Sequence, residues 1–307
     1  MQTIYIPHRQ VGPRALPTGG LGILFGWLLA LWLPLAWAEL PNTPVPGAYV
    51  ADGSVNAIVI DGATTYIGGT FTRLGPATGS GVPFDADSGA ATTYPQVNGI
   101  IRAVAADGSG GWYVGGHFKQ VGSLPRNNIA HILADGSVDA SWNPDANGDV
   151  FALAVGNGKV YAGGRFTQIG GLTRNRIAAL GASGTGAADA SWNPNADGVV
   201  WVLAVSGSTV YAGGEFGNIG GEVRNNLAAL GSNGTGTADA SWNPNPDGLV
   251  RALAVSGGTV YVGGEFYNIG GQARNSLAAL STGGTGAADA SWDPRSLSGF
   301  PSVNRIK

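Results

Sequence analysis

The stretch "VYAGGEFGNIGGEVRNNLAAL", from Val210 to Leu230, with "DASWNP" following it from Asp239, decides the fold of this chain. Near copies of both stretches recur along the 307 residues. A fixed period in this range indicates a repeat architecture. The DASW motif begins every 50 residues, at Asp139, Asp189, Asp239 and Asp289, and a glycine pair with one variable residue precedes Phe71, Phe118, Phe166, Phe216 and Phe266.

Composition narrows the class of protein. Charged residues make up 11% of the chain and there are 53 glycines, a profile that is poorer in charge and richer in turns than average and that favours an all-β fold. The net charge is −3 and there are three lysines, so we expect no basic surface for nucleic acid. The chain has no cysteine, which excludes disulfides, thiolate catalysis and cysteine-ligated metals.

The N-terminal segment predicts export. An apolar run of 16 residues, from Leu21 to Ala36, follows His8 and Arg14 and leads to the small-x-small sequence that ends at Ala38. This pattern is typical of a signal peptide over residues 1–38, with cleavage after Ala38. An uncleaved anchor is the alternative, although the run is shorter than the roughly 20 residues of a membrane span. The mature chain is therefore predicted to be secreted, extracellular or at the cell surface, or periplasmic, without a stable span.

One repeat unit reads as four short strands. They are "DGVVWVLAV" from Asp197, "TVYAGGEF" from Thr209, "NLAALG" from Asn226 and "TADASWNP" from Thr237, and "NIGGEVRN" at 218–225 reads as a loop. Four antiparallel strands per repeat, joined by tight turns, are the pattern of a β-propeller blade. The five glycine pairs predict about five blades.

The propeller is expected to cover residues 55–294, with a degenerate first blade. Residues 39–54 are a candidate for a ring-closing strand. Residues 295–307 form a C-terminal tail that departs from the repeat.

The repeat resembles the delta-60 repeat family of bacterial β-propellers and, more distantly, the kelch group. The resemblance rests on the Val210 to Leu230 stretch and its copies, each followed by "DASWNP" or its variant, and it covers about Val55 to Pro294. It implies the propeller fold. It implies no activity, because the delta-60 family has no established common function.

Two constant residues admit a structural and a functional interpretation. A ring of tryptophans could stack sugars, but packing between blades is favoured because every repeat has one. A ring of arginines could bind a ligand, but a tie to carbonyls or a carboxylate of the neighbouring blade is favoured. These residues are Trp142, Trp192, Trp242 and Trp292, and Arg126, Arg174, Arg224 and Arg274.

Positions that differ between repeats are better candidates for binding, because constant positions build the blade. One such position lies in or near the first strand of each repeat, and a second lies directly after the glycine pair. Their mixture of aromatic and charged side chains suits a polar ligand or a partner loop, and neutral drift at exposed sites is the alternative. The candidate ligand-binding face comprises Arg102, Phe151, Trp201, Arg251, His117, Arg165, Glu215 and Glu265.

The loop after each DASW motif is a weak calcium candidate. Its alternate oxygen side chains resemble the first half of a calcium loop. No bidentate glutamate follows at the twelfth position, and the same residue types are typical of tight turns. The residues are Asp145, Asn147, Asp149, Asn195, Asp197, Asn245 and Asp247.

Catalysis has little support in the sequence. The mature chain has two histidines, His117 and His131, and no serine stands out as a nucleophile. Glu215 and Glu265 are the weak candidates for a carboxylate pair. We therefore predict a non-enzymatic binding or scaffold module for a protein or polar ligand, with no cofactor except calcium as a remote option. The alternatives are a carbohydrate-binding or carbohydrate-active protein and a calcium-stabilised structural repeat.

Overall fold

The computed structural model describes residues 53–61, 64–71, 81–85, 95–294 and 302–306, and the regular structure in these ranges consists of β-strands. Several predicted segments lie outside the described residues, namely the signal peptide, almost all of the candidate ring-closing segment, and residues 295–301 and 307 of the tail. Within the described part, no helix has the length and apolarity that a membrane crossing requires.

Within the described residues, five antiparallel sheets of three or four strands follow one another along the chain and form blades 1 to 5. The first strand of each blade lies against the first strand of the next, so the first strands converge on the inside, as in a β-propeller. Blade 1 has β1 (Val55–Asp61), β2 (Thr64–Gly69) and β3 (Gly81–Asp85); blade 2 has β4 (Val97–Ala106), β5 (Trp112–Val121), β6 (Leu124–Pro125) and β7 (Ile129–Ile132); blade 3 has β8 (Val150–Gly156), β9 (Lys159–Gly164) and β12 (Ile177–Gly181); blade 4 has β13 (Val199–Ser206), β14 (Thr209–Glu215) and β17 (Leu227–Gly231); blade 5 has β18 (Leu249–Ser256), β19 (Thr259–Glu265) and β22 (Leu277–Ser281).

Short hairpins replace the loop that was predicted between the second and third strands. In blade 4, Gly220 and Gly221 both have positive φ, 63° and 82°, which is the geometry of a tight two-residue hairpin turn that glycine favours. The turn brings the flanking residues into a two-residue ladder. The hairpins are β10 (Gln168–Ile169) with β11 (Leu172–Thr173), β15 (Asn218–Ile219) with β16 (Glu222–Val223), and β20 (Asn268–Ile269) with β21 (Gln272–Ala273).

The predicted fourth strand is reduced to a single bridge in blades 2 to 5. In blade 4 the bridge joins Leu230 and Ala238. Directly afterwards, Oδ1 of Asp239 accepts hydrogen bonds from the backbone N–H and the hydroxyl of Ser241. This aspartate-centred turn diverts the chain away from the sheet. The prediction of four full strands per blade is therefore wrong in this detail, and its cause is the DAS sequence itself.

The diverted chain carries a tryptophan into the contact between consecutive blades, which we call the blade joint. Trp192 is fully buried. Its ring meets Tyr161 of its own blade edge-on, with centroids 5.2 Å apart. Its Nε1–H donates to the carbonyl of Gly231 in the next blade at 2.8 Å. Trp142 and Trp242 make the equivalent bonds to Gly181 and Ser281. This geometry supports the packing role predicted for the tryptophans.

The repeated arginines are buried ties within a blade. Arg224 is 4% exposed, and its guanidinium donates to the carbonyls of Val223 and Asp239. Asp239 follows the third strand of the same blade, so the expectation of a partner in the neighbouring blade is wrong. The arginine reaches its own blade because it precedes the third strand and the carbonyl follows it. Arg126, Arg174 and Arg274 make the same bonds to Asp139, Asp189 and Asp289.

The two glycines of each pair have different tasks. A Cβ on Gly213 would lie 2.5 Å from Cγ1 of Val250 in the next blade, whereas a Cβ on Gly214 would clash with the carbonyl oxygen of Val199 within the blade. Neither residue has positive φ. Close approach, rather than an unusual backbone conformation, therefore requires glycine at both positions.

Part of the tail resumes the repeat. A Cβ on Gly263 would lie 2.6 Å from Cγ1 of Val303, as it would for Gly213 and Val250 one blade earlier. The N–H of Val303 donates to the carbonyl of Gly264 at 3.2 Å. Residues 302–306 therefore lie against blade 5 in the place where the first strand of a following blade would start.

Replacement of Trp192 by alanine should lower the free energy of unfolding by about 3–5 kcal/mol, because a fully buried indole and its hydrogen bond across the joint are lost. Urea unfolding measures the change. Trp292→Ala is the control, because this ring is only half-buried and should cost clearly less. Equal losses in the two variants would contradict the role of the joint.

Gly214→Ala should destabilise the protein by about 1–3 kcal/mol, because the added methyl group cannot fit beside the Val199 carbonyl. Gly231→Ala is a matched control in the same blade, since a Cβ there would lie 3.6 Å from its nearest neighbour. Thermal unfolding of both variants tests the difference, and a Gly214→Ala protein as stable as the control would disprove the explanation.

Candidate functional site

A β-bulge places one variable residue of each blade at the inside of the propeller. In blade 4, Val200 pairs with Gly214 and Val202 with Gly213, so Trp201 is the extra residue without a ladder partner. A residue in a bulge does not take part in the hydrogen-bond ladder of the sheet, and its side chain points in a different direction from that of a paired residue. The bulge residues of blades 1 to 5 are Asn56, Arg102, Phe151, Trp201 and Arg251.

The bulge residues of blades 3 and 4 stack on each other. The rings of Phe151 and Trp201 have centroids 4.5 Å apart and an interplanar angle of 20°. Both side chains are half-buried. Nε1 of Trp201 is buried and has no hydrogen-bond partner among the described residues, so the indole keeps one donor unused.

Three arginines surround this aromatic pair. Cζ of Arg165 lies 5.5 Å from the Phe151 centroid and 5.4 Å from the Trp201 centroid, so it contacts both rings. Arg102 lies 5.5 Å from the Phe151 centroid and Arg251 lies 5.4 Å from the Trp201 centroid. These distances are those of cation–π contacts. We call these five residues, contributed by blades 2 to 5, the axial ladder.

One carboxylate neutralises part of this positive charge. Oε1 of Glu265 accepts a hydrogen bond from Nε of Arg251 at 2.5 Å. Within the described residues, Arg102 and Arg165 form no ion pair, and no charged partner is found for the exposed side chain of Glu215. Glu215 and Glu265 occupy equivalent positions, but blade 4 has Trp201 where blade 5 has Arg251. The ladder therefore keeps two guanidinium groups available for an anionic ligand.

His117 lies outside the ladder contacts. Its Nδ1 is 2.6 Å from Oδ1 of Asp149 in the following blade, and the imidazole is largely exposed. The bond joins blades 2 and 3. Of the eight residues of the predicted face, the structure brings Arg102, Phe151, Arg165, Trp201, Arg251 and Glu265 into one connected group, and it leaves His117 and Glu215 apart from it.

The oxygen atoms of the calcium candidates are engaged in turns. Oδ1 of Asp197 accepts hydrogen bonds from the N–H groups of Gly217 and Asn218, and Asp247 does the same for Tyr267 and Asn268. Burial opposes ionisation of Asp197, but the hydrogen bonds from Asn218 and Gly217 outweigh it and keep the pKa of the carboxyl below its ordinary value.

The remaining candidates have similar partners. Asn147 accepts from Thr167 and Gln168, and Asp149 contacts His117. Asp145, Asn195 and Asn245 have positive φ and accept from the side chains of Asn127, Asn175 and Asn225. In the described ranges, no cluster of three or more histidine, aspartate or glutamate side chains has the arrangement of a metal site.

Known proteins support the fold. The family described as "Domain of unknown function (DUF5122) beta-propeller" matches residues 106–141, 156–186 and 258–286. No curated protein matches the chain. The computationally designed Ika8 protein has a similar structure, with a TM-score of 0.51 and 14% identity over 75% of this chain and 68% of its own. At this identity the likeness concerns the fold alone.

Two further solved structures are similar at lower scores. The Pan2 WD40 domain of Neurospora crassa has a TM-score of 0.48 and 12% identity over 76% of this chain and 67% of its own. The WD40 beta propeller domain of Doa1 has a TM-score of 0.47 and 12% identity over 85% of this chain and 88% of its own. The family match and the five sheets confirm the predicted all-β propeller.

A double-mutant cycle tests the ladder geometry. Phe151→Ala and Trp201→Ala should be non-additive by about 0.5–1.5 kcal/mol in urea unfolding, because each single variant already removes the stacking contact. A cycle of Phe151→Ala with Val223→Ala is the control, since Val223 is 65% exposed in a hairpin of another blade. Additive losses in the first cycle would exclude the stacked pair.

Proposed function

We propose that the chain is a non-enzymatic binding module and that the axial ladder is its binding surface. The ligand is a polar molecule or a partner loop that presents an anionic, planar group such as a carboxylate. The observation that carries this proposal is the pair of guanidinium groups, Arg102 and Arg165, that contact aromatic rings and form no ion pair among the described residues.

The position of the ladder supports a binding role. Its members Phe151, Trp201 and Arg251 are bulge residues. Their side chains can therefore change without loss of hydrogen bonds between the strands of a sheet. Binding sites of repeat proteins commonly use surfaces to which each unit contributes a residue. The constant residues of the repeat, in contrast, are occupied in blade joints and turns.

The chemistry of the ladder favours an anion over a neutral ligand. Guanidinium groups bind carboxylates through paired, charge-assisted hydrogen bonds. The aromatic faces hold the arginines in place through cation–π contacts. The arginine side chains therefore lose less conformational entropy when a ligand binds. The Nε1–H of Trp201 is buried and has no hydrogen-bond partner among the described residues, so it becomes a further donor only to a group that displaces the side chains covering it.

Carbohydrate binding is the second candidate, and the ladder limits it to a particular form. Phe151 and Trp201 stack on each other and also contact arginines, so little ring face remains for a sugar. An acidic sugar could still bind the arginines through its carboxylate.

We also propose that the protein is secreted, because of the apolar run and the cleavage pattern at residues 21–38. The proposed link to the delta-60 repeats rests on sequence resemblance.

The experiment is a thermal-shift and array screen of the purified protein with matched acidic and neutral ligands, for example galacturonate and galactose oligomers or carboxylated and amidated peptides. We expect binding of acidic members only. Arg165→Ala should weaken it tenfold or more, because a charge-assisted hydrogen bond contributes about 1.5–3 kcal/mol. Trp201→Phe retains the stack but removes the Nε1 donor, and its effect isolates that donor.

The control is Lys119→Ala, which removes an exposed positive charge outside the ladder and should leave binding unchanged. If ligands bind equally well to wild type and to Arg165→Ala, the axial ladder is not the binding surface. If neutral sugars bind as tightly as acidic ones, the carbohydrate-binding alternative replaces the anion-binding proposal.

A further inference from the structure

In blades 2 to 5, a repeated aspartate directly follows the single bridge that comes after the third strand. Its Oδ1 accepts hydrogen bonds from the serine two residues later, as in Asp139, Asp189 and Asp239. In blades 2 and 3, Oδ2 of the same carboxylate has a cationic or imidazole partner supplied by the chain. In blade 4, Oδ2 of the equivalent carboxylate has no such partner among the described residues.

Blade 3 holds an ammonium group at this place. Nζ of Lys159 lies 2.7 Å from Oδ2 of Asp189 and donates to the carbonyl of Ser232 in blade 4 at 3.4 Å. The hydrogen bond from Lys159 is the largest influence on Asp189 and helps to hold its pKa well below its ordinary value. The lysine therefore joins two blades through one carboxylate and one carbonyl.

In blade 2, an imidazole contacts the equivalent carboxylate. Nδ1 of His131 lies 3.0 Å from Oδ2 of Asp139, and its Nε2 lies 3.1 Å from Asp107. His131 pairs with Tyr113 across the sheet. The equivalent place in both blades is thus filled by a nitrogen-bearing side chain.

Blade 4 has no such side chain. Thr209 pairs with Gly231 as Lys159 pairs with Gly181, so threonine occupies the lysine position. Ala229 pairs with Tyr211 and occupies the histidine position. Among the described residues, no donor reaches Oδ2 of Asp239.

A cavity of about 270 Å³ lies where the lysine chain would run, lined among others by Ser208, Thr209, Tyr211, Asp239 and Thr282. This volume holds several water-sized groups. Thr282 stands where Ser232 stands one blade earlier, directly after the third strand of the next blade. Burial, together with the negative charge of Asp239, raises the pKa of Tyr211, so its hydroxyl stays protonated beside the carboxylate. Among the described residues, the cavity lining includes no cationic side chain.

We propose that this cavity binds a primary alkylammonium group, with the nitrogen on Oδ2 of Asp239 and on the carbonyl of Thr282, and the alkyl chain along Thr209. Lys159 in blade 3 is the template, because it makes these same contacts inside the same repeat. The site lies at the joint of blades 4 and 5 and is independent of the axial ladder. The ammonium group belongs either to a free amine or to a lysine side chain of a partner.

The test is titration of the full chain with n-butylammonium, which is the lysine side chain without its backbone. Amide chemical shifts of Thr209, Asp239 and Thr282 should move and saturate, in the millimolar range expected for so small a ligand. Sodium and tetramethylammonium at equal ionic strength are the controls, since neither can donate the directed N–H bonds. A response that does not saturate, or that tetramethylammonium reproduces, would overturn the proposal.

Three variants sharpen the test. Asp239→Asn should abolish the response, and its unchanged melting profile would show that folding is intact. Thr209→Lys should also abolish it, because the chain then supplies its own ammonium, and it should raise the melting temperature. Lys159→Thr should recreate the cavity in blade 3, so that two equivalents of n-butylammonium bind instead of one. Persistence of binding in both blade 4 variants would disprove the site.

The source of the ammonium group is decided with a blocked peptide that has a single lysine and with its norleucine counterpart. Saturable binding of the lysine peptide, lost with norleucine, assigns the site to a partner's lysine. Binding of n-butylammonium alone assigns it to free amines. Both results support the ammonium site, and binding of the norleucine peptide with equal affinity would contradict it.

Discussion

The propeller depends on the contact that the indoles of Trp142, Trp192 and Trp242 make with the next blade. A blade of three short strands and one bridge buries too little apolar surface to be stable alone. Trp192 packs on Tyr161 in its own blade and donates to Gly231 in the next. Gly236 leaves room for the indole, since a Cβ there would lie 2.8 Å from its Nε1. One side chain thereby supplies apolar burial and a directed hydrogen bond at the same joint.

Much of the fold could be predicted from the period, and its errors have a physical cause. The copies of "VYAGGEF" and "NLAALG" predicted the second and third strands within one residue of those in blade 4. The predicted fourth strand does not form because Asp239 and Ser241 make a turn that ends pairing after one bridge, and β-propensity alone does not include this turn. The hairpin at Gly220 and Gly221 was missed because its ladders are only two residues long.

The candidate site was accessible to sequence reasoning only in part. Comparison of repeats identified Phe151, Trp201 and Arg165 as variable residues near the inside, because constant positions are needed for packing. Sequence could not reveal that Trp201 stacks on Phe151 or that Arg251 pairs with Glu265, since these contacts cross blades or depend on rotamers. The sequence analysis did not predict the blade 4 cavity. The sequence does contain an indication of it, because Thr209 stands in the next repeat where blade 3 has Lys159.

The bulge opposite the glycine pair has a consequence for how such a protein can change. The extra residue contributes no rung to the sheet, so exchanging it leaves the scaffold's hydrogen bonds intact. The joints stabilise the propeller, whereas the proposed recognition uses bulge residues that form none of the ladder hydrogen bonds of the sheets. Duplication of one 50-residue unit would therefore add a single, freely mutable position at the axis together with a complete joint. Under the proposed function, specificity could then change one blade at a time while the hydrogen bonds of the sheets and of the joints stay the same.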